Sequence, residues 1–249
     1  MRQSNTYILV FSAITTIVIG GLLALAALLL GPQQKKAIEV DTKQQILGAV
    51  MEIEEGGDIL ELYRKHISSF VVNYDGEKVE PKDKNGNVVS AENVSIEKEF
   101  DKAPEDRYYP VFIYHEEGSD EAAAYIFPVY GNGLWDNIWG FIALETDLET
   151  IRGARFAHAG ETPGLGARIT EIEVQNRFKG KKVYNDLGDL VSVSMMKGEN
   201  NPTDRIDEHH VDGMSGATIT ANGVSKMLEN YFSHYNAYIQ VQKNQEITS

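Results

Sequence analysis

The feature that most constrains this chain is an apolar stretch near the amino terminus, from Tyr7 to Leu30, in which no side chain is charged. A helix rises about 1.5 Å per residue, so one helix over this stretch exceeds the roughly 30 Å hydrocarbon core of a bilayer. The sequence predicts a transmembrane anchor over residues 1–34 and one domain over residues 35–249. A cleaved signal peptide is the alternative, but the apolar stretch is longer than in such peptides and only Arg2 precedes it as a basic residue.

The charge of the chain disfavours some classes of partner. The formal net charge is -14, and Arg2 is the only charged side chain before Lys35, so the negative charge belongs to the domain. An acidic domain repels phosphate backbones, which argues against nucleic-acid binding. The charges do not decide which side of the membrane the domain occupies, because Arg2 lies before the apolar stretch while Lys35 and Lys36 lie after it.

The absence of cysteine limits the chemistry that the domain can support. It excludes disulfides, thiolate zinc sites, cysteine-bound iron–sulfur clusters and cysteine nucleophiles. A redox function would require an organic cofactor or a metal bound by histidines and carboxylates. The sequence offers His209, His210 and Asp212 for such a metal, but adjacent histidines seldom converge on one ion, and we expect no metal there.

The first part of the domain has signals for helices and turns. Gly31-Pro32 predicts a break after the apolar helix, and Asp41 with Gln44 resembles a capping box, so a new helix is expected within residues 37–50. A short helix is expected over residues 58–67, and turns or a solvated hairpin over residues 74–93.

The rest of the domain predicts an α+β fold. Three β-prone runs, over residues 110–116, 122–130 and 139–146, predict an antiparallel meander. Residues 167–178 have roughly helical spacing, although Val174 also suits a short strand, and residues 220–242 form an amphipathic helical pattern. We therefore expect a single domain with an antiparallel sheet flanked by helices.

The run Ser215-Gly216-Ala217-Thr218-Ile219-Thr220 lies at the start of the predicted carboxy-terminal helix. The amino-terminal end of a helix has unpaired N–H groups and a positive dipole, which favour an anion such as phosphate. Gly216 and Ala217 allow a ligand to approach the backbone closely. From the spacing alone, an ordinary helix cap by Thr218 or Thr220 is the simpler interpretation.

A second candidate segment is Gly160-Glu161-Thr162-Pro163-Gly164-Leu165-Gly166. The glycines that follow Pro163 permit a tight turn and close contact between the backbone and a flat ring, while Glu161 and Thr162 offer polar contacts. Taken alone, the segment is also compatible with a plain turn.

Both segments resemble the bacterial FMN-binding domain family, in the family's order. Residues 212–220, DGMSGATIT, are similar to its flavinylation motif D-G-x-S-G-A-T-x-T, and residues 160–166 match its G-E-T-P-G-L-G segment. The resemblance implies that FMN is esterified through its phosphate to Thr220 by a transferase that takes FMN from FAD. It also implies that a loop on the phosphate side of the cofactor is formed by Ser215, Gly216, Ala217 and Thr218. A segment beside the flavin ring would be formed by Glu161, Thr162, Gly164 and Leu165.

A third segment, Tyr130-Gly131-Asn132-Gly133-Leu134-Trp135 followed by Trp139-Gly140-Phe141-Ile142-Ala143-Leu144-Glu145, separates relatives within this family. With the chain length and the single span, it most resembles the C subunits of the sodium-translocating NADH:quinone oxidoreductase. The G subunits of the ion-translocating ferredoxin:NAD oxidoreductase share the other two segments and are the alternative. We expect Trp135 beside the flavin, whereas Trp139 suits core packing equally well.

The resemblance implies an electron-transfer subunit with no catalytic residue of its own, since NADH and quinone would react on other subunits. It implies a single-pass protein of the bacterial inner membrane, with the domain on the periplasmic side and five other subunits as partners. A membrane-tethered sensory or ligand-binding module without a cofactor is the alternative from another functional class.

Three arginines surround the second segment in the sequence, at positions 152, 155 and 168. An arginine beside a flavin stabilises its anionic reduced form. We expect at least two of Arg152, Arg155 and Arg168 to be solvent-exposed instead.

Overall fold

The computed structural model describes residues 4–54 and 56–246, with side chains up to residue 244. Contacts divide the chain into two compact units between Lys43 and Gln44. The first unit consists of the greater part of helix α1 (Asn5–Gly48). The second unit contains the sheet, the remaining helices and all candidate site residues.

Helix α1 continues through Pro32, so the predicted break at Gly31-Pro32 is wrong, and so is a helix start at Asp41. Proline removes one N–H donor from the helix, but the neighbouring hydrogen bonds remain and its fixed φ suits a helix. Within residues 4–54 and 56–246, α1 is the one helix long and apolar enough to cross a membrane, judged by length and composition. Most of its large apolar side chains between Tyr7 and Leu30 are exposed, as lipid-facing side chains would be.

The predicted short helix after residue 58 is confirmed as α2 (Ile59–His66). The Asp58 side chain caps it by accepting hydrogen bonds from the N–H groups of Leu60 and Glu61. The chain then passes directly into a strand, which was not predicted because Ser68 and Ser69 interrupt its apolar pattern.

A six-stranded antiparallel sheet forms the centre of the second unit, in the order β2-β1-β3-β4-β5-β6. Its strands are β1 (Ile67–Val72), β2 (Lys78–Val79), β3 (Tyr109–His115), β4 (Ala122–Asn132), β5 (Asn137–Leu144) and β6 (Ile151–His158). Strands β3 to β5 confirm the predicted meander. The edge strand β6 was not predicted, because two arginines and a glycine dilute its apolar residues.

The polar region over residues 74–93 contains turns, as predicted, with β2, a bridge between Lys82 and Val88, and a 3₁₀ helix at Ala91–Asn93. A short helix α3 (Ile96–Phe100) and a 3₁₀ helix at Pro104–Asp106 lead into β3.

The predicted helix over residues 167–178 is two shorter elements, a 3₁₀ helix at Gly166–Thr170 and helix α4 (Ile172–Asn176). Glu171 between them has an extended backbone, which interrupts the helix. Val174 lies in α4 and is buried, so the strand alternative for this residue is wrong. The following loops are tied together by a short parallel pair, β7 (Ser194–Met195) and β8 (His210–Val211).

Helix α5 (Thr218–Glu246) packs against β4 and confirms the predicted amphipathic pattern. Its predicted apolar residues are all buried: Val224, Met227, Leu228, Tyr231, Tyr235 and Tyr238. Alternate residues of the sheet face two cores, since Phe127 packs with the α5 residues whereas Ile126 packs with Leu47 and Tyr63 on the opposite face.

Candidate functional site

The hairpin between β4 and β5 presents the third sequence segment. Its turn is closed by a hydrogen bond of 2.8 Å from the Gly133 N–H to the Asp136 carbonyl oxygen. Leu134 and Trp135 occupy the tip, where their side chains are 44% and 70% exposed. Their N–H groups point inward and donate to one oxygen, Oε1 of Glu161, at 2.8 and 3.0 Å.

Glu161 also connects the two motif segments. Its second oxygen, Oε2, accepts a hydrogen bond of 2.6 Å from the Thr220 hydroxyl. Both side chains are buried, with Glu161 4% and Thr220 1% exposed. Thr220 is the third residue of α5 and therefore lies inside the helix, not at its cap position. Its side chain bonds to Glu161 instead. The three segments that were separate in sequence therefore meet at one carboxylate.

Three glycines leave room for this arrangement. A Cβ atom on Gly166 would lie 2.5 Å from the Thr220 hydroxyl oxygen and would also meet the Glu161 carboxylate. A Cβ on Gly133 would meet the other oxygen of the same carboxylate. Gly216 has a φ of +72°, and a Cβ there would lie 2.8 Å from a methyl group of Leu165. Side chains at these positions would displace the groups that form the site.

The Glu161 carboxylate is held in its ionised form. Burial raises its pKa, but hydrogen bonds from the Thr220 hydroxyl and from the Trp135 and Leu134 N–H groups outweigh burial, so the net pKa lies below the ordinary glutamate value. Among the described residues, no basic side chain forms an ion pair with Glu161. Neutral donors therefore hold its negative charge.

A second carboxylate, Glu199, lies beside the phosphate-side loop and accepts a hydrogen bond of 3.3 Å from the Ser215 N–H. Arg168 donates to both of its oxygens at 2.8 Å, and Arg177 donates at 3.0 Å. The hydrogen bonds from Arg168 and Arg177 hold the pKa of Glu199 far below its ordinary value. Arg177, the residue that follows α4, also donates to the Gly213 carbonyl oxygen and so connects the end of α4 to the motif loop.

The three arginines singled out in the sequence are half-buried. The expectation that at least two of them are solvent-exposed is therefore wrong. Arg168 is committed to Glu199, and its side chain is 19% exposed. Arg152 donates to the carbonyl oxygens of Val50 and Ala123. Arg155 lines a separate cleft of about 400 Å³ with Gly48 and Lys179, and burial lowers its pKa. Only Arg168 is linked to the motif segments, through Glu199.

His209 and His210 form hydrogen bonds with nearby backbone and side-chain groups. His209 Nδ1 lies 2.8 Å from the Lys182 carbonyl oxygen, and His210 Nδ1 lies 2.6 Å from a carboxylate oxygen of Asp207. Asp212 accepts hydrogen bonds from the N–H groups of Asn200 and Asn201. In the described part of the chain, no group of three or more histidine or acidic side chains is arranged to hold a metal ion.

The remaining predicted site residues differ in how far they are exposed to solvent. Ala217 is buried and Thr218 is half-buried, whereas Thr162, Gly164, Leu165, Ser215 and Gly216 are exposed. Trp139 differs from Trp135, because it stacks on Tyr130 with ring centroids 6.5 Å apart and packs against the core. Glu199 and Arg177 were not predicted from the sequence, because they carry no motif signal and reach the loop only through the fold.

The residues fit the FMN group that the resemblance implies. The Thr220 hydroxyl has the chemistry that a phosphoester needs, and Gly166 has no Cβ that would meet it. The exposed side chains of Trp135 and Leu165 offer apolar surface to a flat ring. The Glu161 carboxylate and the Gly166 backbone both lie beside the Thr220 hydroxyl.

The chain is similar to known proteins over most of its length. Residues 133–233 match the family model described as the FMN-binding domain. The C subunit of the Na(+)-translocating NADH-quinone reductase of Haemophilus ducreyi is 32% identical over 242 residues, covering 91% of this chain and 88% of that protein. Its counterpart from Vibrio anguillarum is 33% identical over 206 residues, covering 80% of this chain and 79% of that protein.

A solved structure also matches. The crystal structure of the C subunit of the Na(+)-translocating NADH-quinone reductase from Parabacteroides distasonis superposes with a TM-score of 0.70 at 36% identity, covering 84% of this chain and 96% of that one. Its agreement confirms the predicted α+β architecture. Identity above 30% over most of both chains, together with the match to the FMN-binding domain, shows that this chain belongs to the family of C subunits of Na(+)-translocating NADH-quinone reductases.

Proposed function

We propose that this chain carries FMN covalently, as a phosphoester on Thr220, and transfers electrons within a sodium-translocating NADH:quinone oxidoreductase. The observation that carries the proposal is the meeting of the three segments at the Glu161 carboxylate, which is bonded to Thr220. Glu161 of the second segment accepts the Thr220 hydroxyl and also binds the N–H groups of Leu134 and Trp135. The family's flavinylation motif thus lies against the other two sequence segments that resemble the family.

Different residues of the site would bind different parts of FMN. Thr220 provides the covalent bond, and the loop Ser215–Thr218, at the positive end of the α5 dipole, lies on the phosphate side. Trp135 and Leu165 provide exposed apolar surface for the flavin ring. When bound, FMN supplies transfer of single electrons, and the protein tunes the potential through polar contacts and burial.

The setting follows from the same proposal. We infer that helix α1 anchors the chain in the bacterial inner membrane as a single pass, with the domain on the periplasmic side. The partners are the other five subunits, and an FAD:protein FMN transferase matures the chain. A covalent link suits this location, because the cofactor cannot dissociate into a dilute compartment.

The test is the mass of the denatured full-length protein after production with the flavin transferase. We expect wild type to retain the mass of one FMN phosphoester and Thr220→Ala to retain none. Thr203→Ala is the matched control, since it removes an exposed threonine outside the three segments and should keep the FMN. Peptide mapping of the modified residue would locate the attachment directly.

The alternatives give different results. A membrane-tethered sensory or binding module predicts no retained flavin on wild type. The ferredoxin-linked relative predicts the same modification but co-purification with a ferredoxin-dependent complex, so isolating the native assembly and testing NADH:quinone activity separates it from our proposal.

A further inference from the structure

The Glu161 carboxylate is oriented so that one oxygen faces the Thr220 hydroxyl. The other oxygen is held by two backbone N–H groups, from Leu134 and Trp135, at 2.8 and 3.0 Å. A third contact, from the Glu161 N–H to Nδ1 of His158 at 3.2 Å, fixes the backbone of the same residue. The oxygen that faces Thr220 is therefore positioned independently of the threonine.

This oxygen is also able to take a proton. The hydroxyl-to-carboxylate distance of 2.6 Å already places the threonine proton between the two groups. The carboxylate is ionised, and its hydrogen bonds come from neutral groups rather than from a lysine or arginine among the described residues. When a new anion forms beside a buried carboxylate, two negative charges would lie close together. The carboxylate avoids this unfavourable arrangement if it accepts a proton and becomes neutral.

We propose that Glu161 is the general base that activates Thr220 during flavin attachment, a role that rests on the proposed function. Thr220 Oγ attacks the phosphorus on the FMN side of the FAD pyrophosphate. The Oγ–P bond forms, the bond from that phosphorus to the bridging oxygen breaks, and AMP leaves with the bonding electron pair. The hydroxyl proton passes to Glu161 Oε2, and no oxidant or reductant is needed.

The proton transfer would have two consequences, activation of the Thr220 hydroxyl and removal of a charge repulsion after attachment. An unassisted threonine hydroxyl is a weak nucleophile, and a positioned base contributes typically about 100- to 10,000-fold to such a step. After transfer, the esterified Thr220 oxygen has no hydrogen left to donate to Glu161. An ionised Glu161 would then lie beside the negative charge of the new phosphodiester. Protonated Glu161 removes that repulsion between two buried negative groups.

A purely structural role for Glu161 is the competing explanation, because the residue also holds the Leu134–Trp135 turn. Glu161→Gln separates the two roles. The glutamine carbonyl oxygen can still accept both backbone N–H groups, and its NH₂ can donate to the Thr220 oxygen, but the side chain cannot accept a proton. The turn is retained while the base is lost.

The experiment measures the single-turnover rate of FMN incorporation into the full-length protein, with excess transferase and FAD, by the mass of the denatured chain. We expect Glu161→Gln to slow incorporation by about 100-fold or more, and Glu161→Asp to recover part of that loss. Glu229→Gln, the same exchange at an exposed position of α5 outside the three segments, should keep the wild-type rate. Hydrogen exchange at the Leu134 and Trp135 amides reports whether the turn persists.

The outcomes distinguish the two proposals. Slow incorporation with protected amides supports Glu161 as the base. A wild-type rate in Glu161→Gln overturns this inference and leaves Thr220 as the attachment site. Slow incorporation with unprotected amides also overturns it, since the defect is then structural. If wild type acquires no FMN on Thr220, the proposed function fails and the role of Glu161 fails with it.

Discussion

The Thr220 hydroxyl lies 2.6 Å from Oε2 of Glu161, although the two residues are 59 positions apart in the sequence. This bond joins the first turn of α5 to the Gly160–Gly166 segment, and the same carboxylate holds the turn between β4 and β5. One buried side chain therefore sets the relative positions of the three segments. Substitutions around this contact and in the core that supports it should have distinct effects.

Gly166→Ala should damage the site and the fold together. The new Cβ would lie 2.5 Å from the Thr220 oxygen and against the Glu161 carboxylate, so these groups must shift. We expect a loss of about 1–3 kcal/mol in the free energy of unfolding and slower flavin incorporation. Thermal unfolding in detergent measures the first effect. Gly57→Ala is the control, because its Cβ makes ordinary contacts of 3.5 Å, and an equal loss in both variants would contradict the prediction.

The two tryptophans should respond in opposite ways to removal. Trp139 packs against the core and stacks on Tyr130, so Trp139→Ala should cost about 2–4 kcal/mol. Trp135 is 70% exposed, and Trp135→Ala should change stability by less than about 0.5 kcal/mol. In flavinylated protein, Trp135→Ala should instead change the fluorescence of the bound FMN. An unchanged flavin spectrum would argue against Trp135 as a flavin neighbour.

Two buried tyrosines of α5 form a matched pair. The Tyr235 hydroxyl donates to the Pro110 carbonyl oxygen at 2.8 Å, so Tyr235→Phe should cost about 1–2 kcal/mol. The Tyr231 hydroxyl is buried and has no hydrogen-bond partner within the described part of the chain. Tyr231→Phe should therefore be neutral or slightly stabilising. Comparing the denaturation midpoints of the two variants checks this, and equal losses would show that the Tyr231 hydroxyl is satisfied in solution.

Glu199 should make stability depend on acidic pH. Its pKa is held far below the ordinary value of 4.5 by Arg168 and Arg177, so the unfolded chain binds a proton more readily than the folded chain. The contribution is therefore fully present above about pH 4.5 and is lost as the pH falls toward the folded pKa. Glu199→Gln should flatten the fall in melting temperature between about pH 5 and 3. Glu173→Gln, at a side chain that is 78% exposed, should leave the acid dependence unchanged.

Local sequence signals predicted the elements that depend on neighbouring residues. The short helix after residue 58, the three central strands and the apolar face of α5 follow from local propensity and periodicity, and the structure confirms them. The signals were misleading at Pro32, where one lost hydrogen bond does not end α1. They also missed β1 and β6, whose serines, glycine and arginines become strand residues because neighbouring strands pair with them.

By itself, the sequence determined the apolar anchor segment, the acidic and cysteine-free character of the domain, and the two motifs that identify Thr220 as the candidate attachment residue. These properties are contiguous in the chain, so they can be read without coordinates. Only the tertiary structure decided that Glu161 binds Thr220, that Arg168 serves Glu199, and that Trp135 is exposed while Trp139 is packed. Such contacts join residues far apart in the chain, and they exist only after the sheet and α5 have packed together.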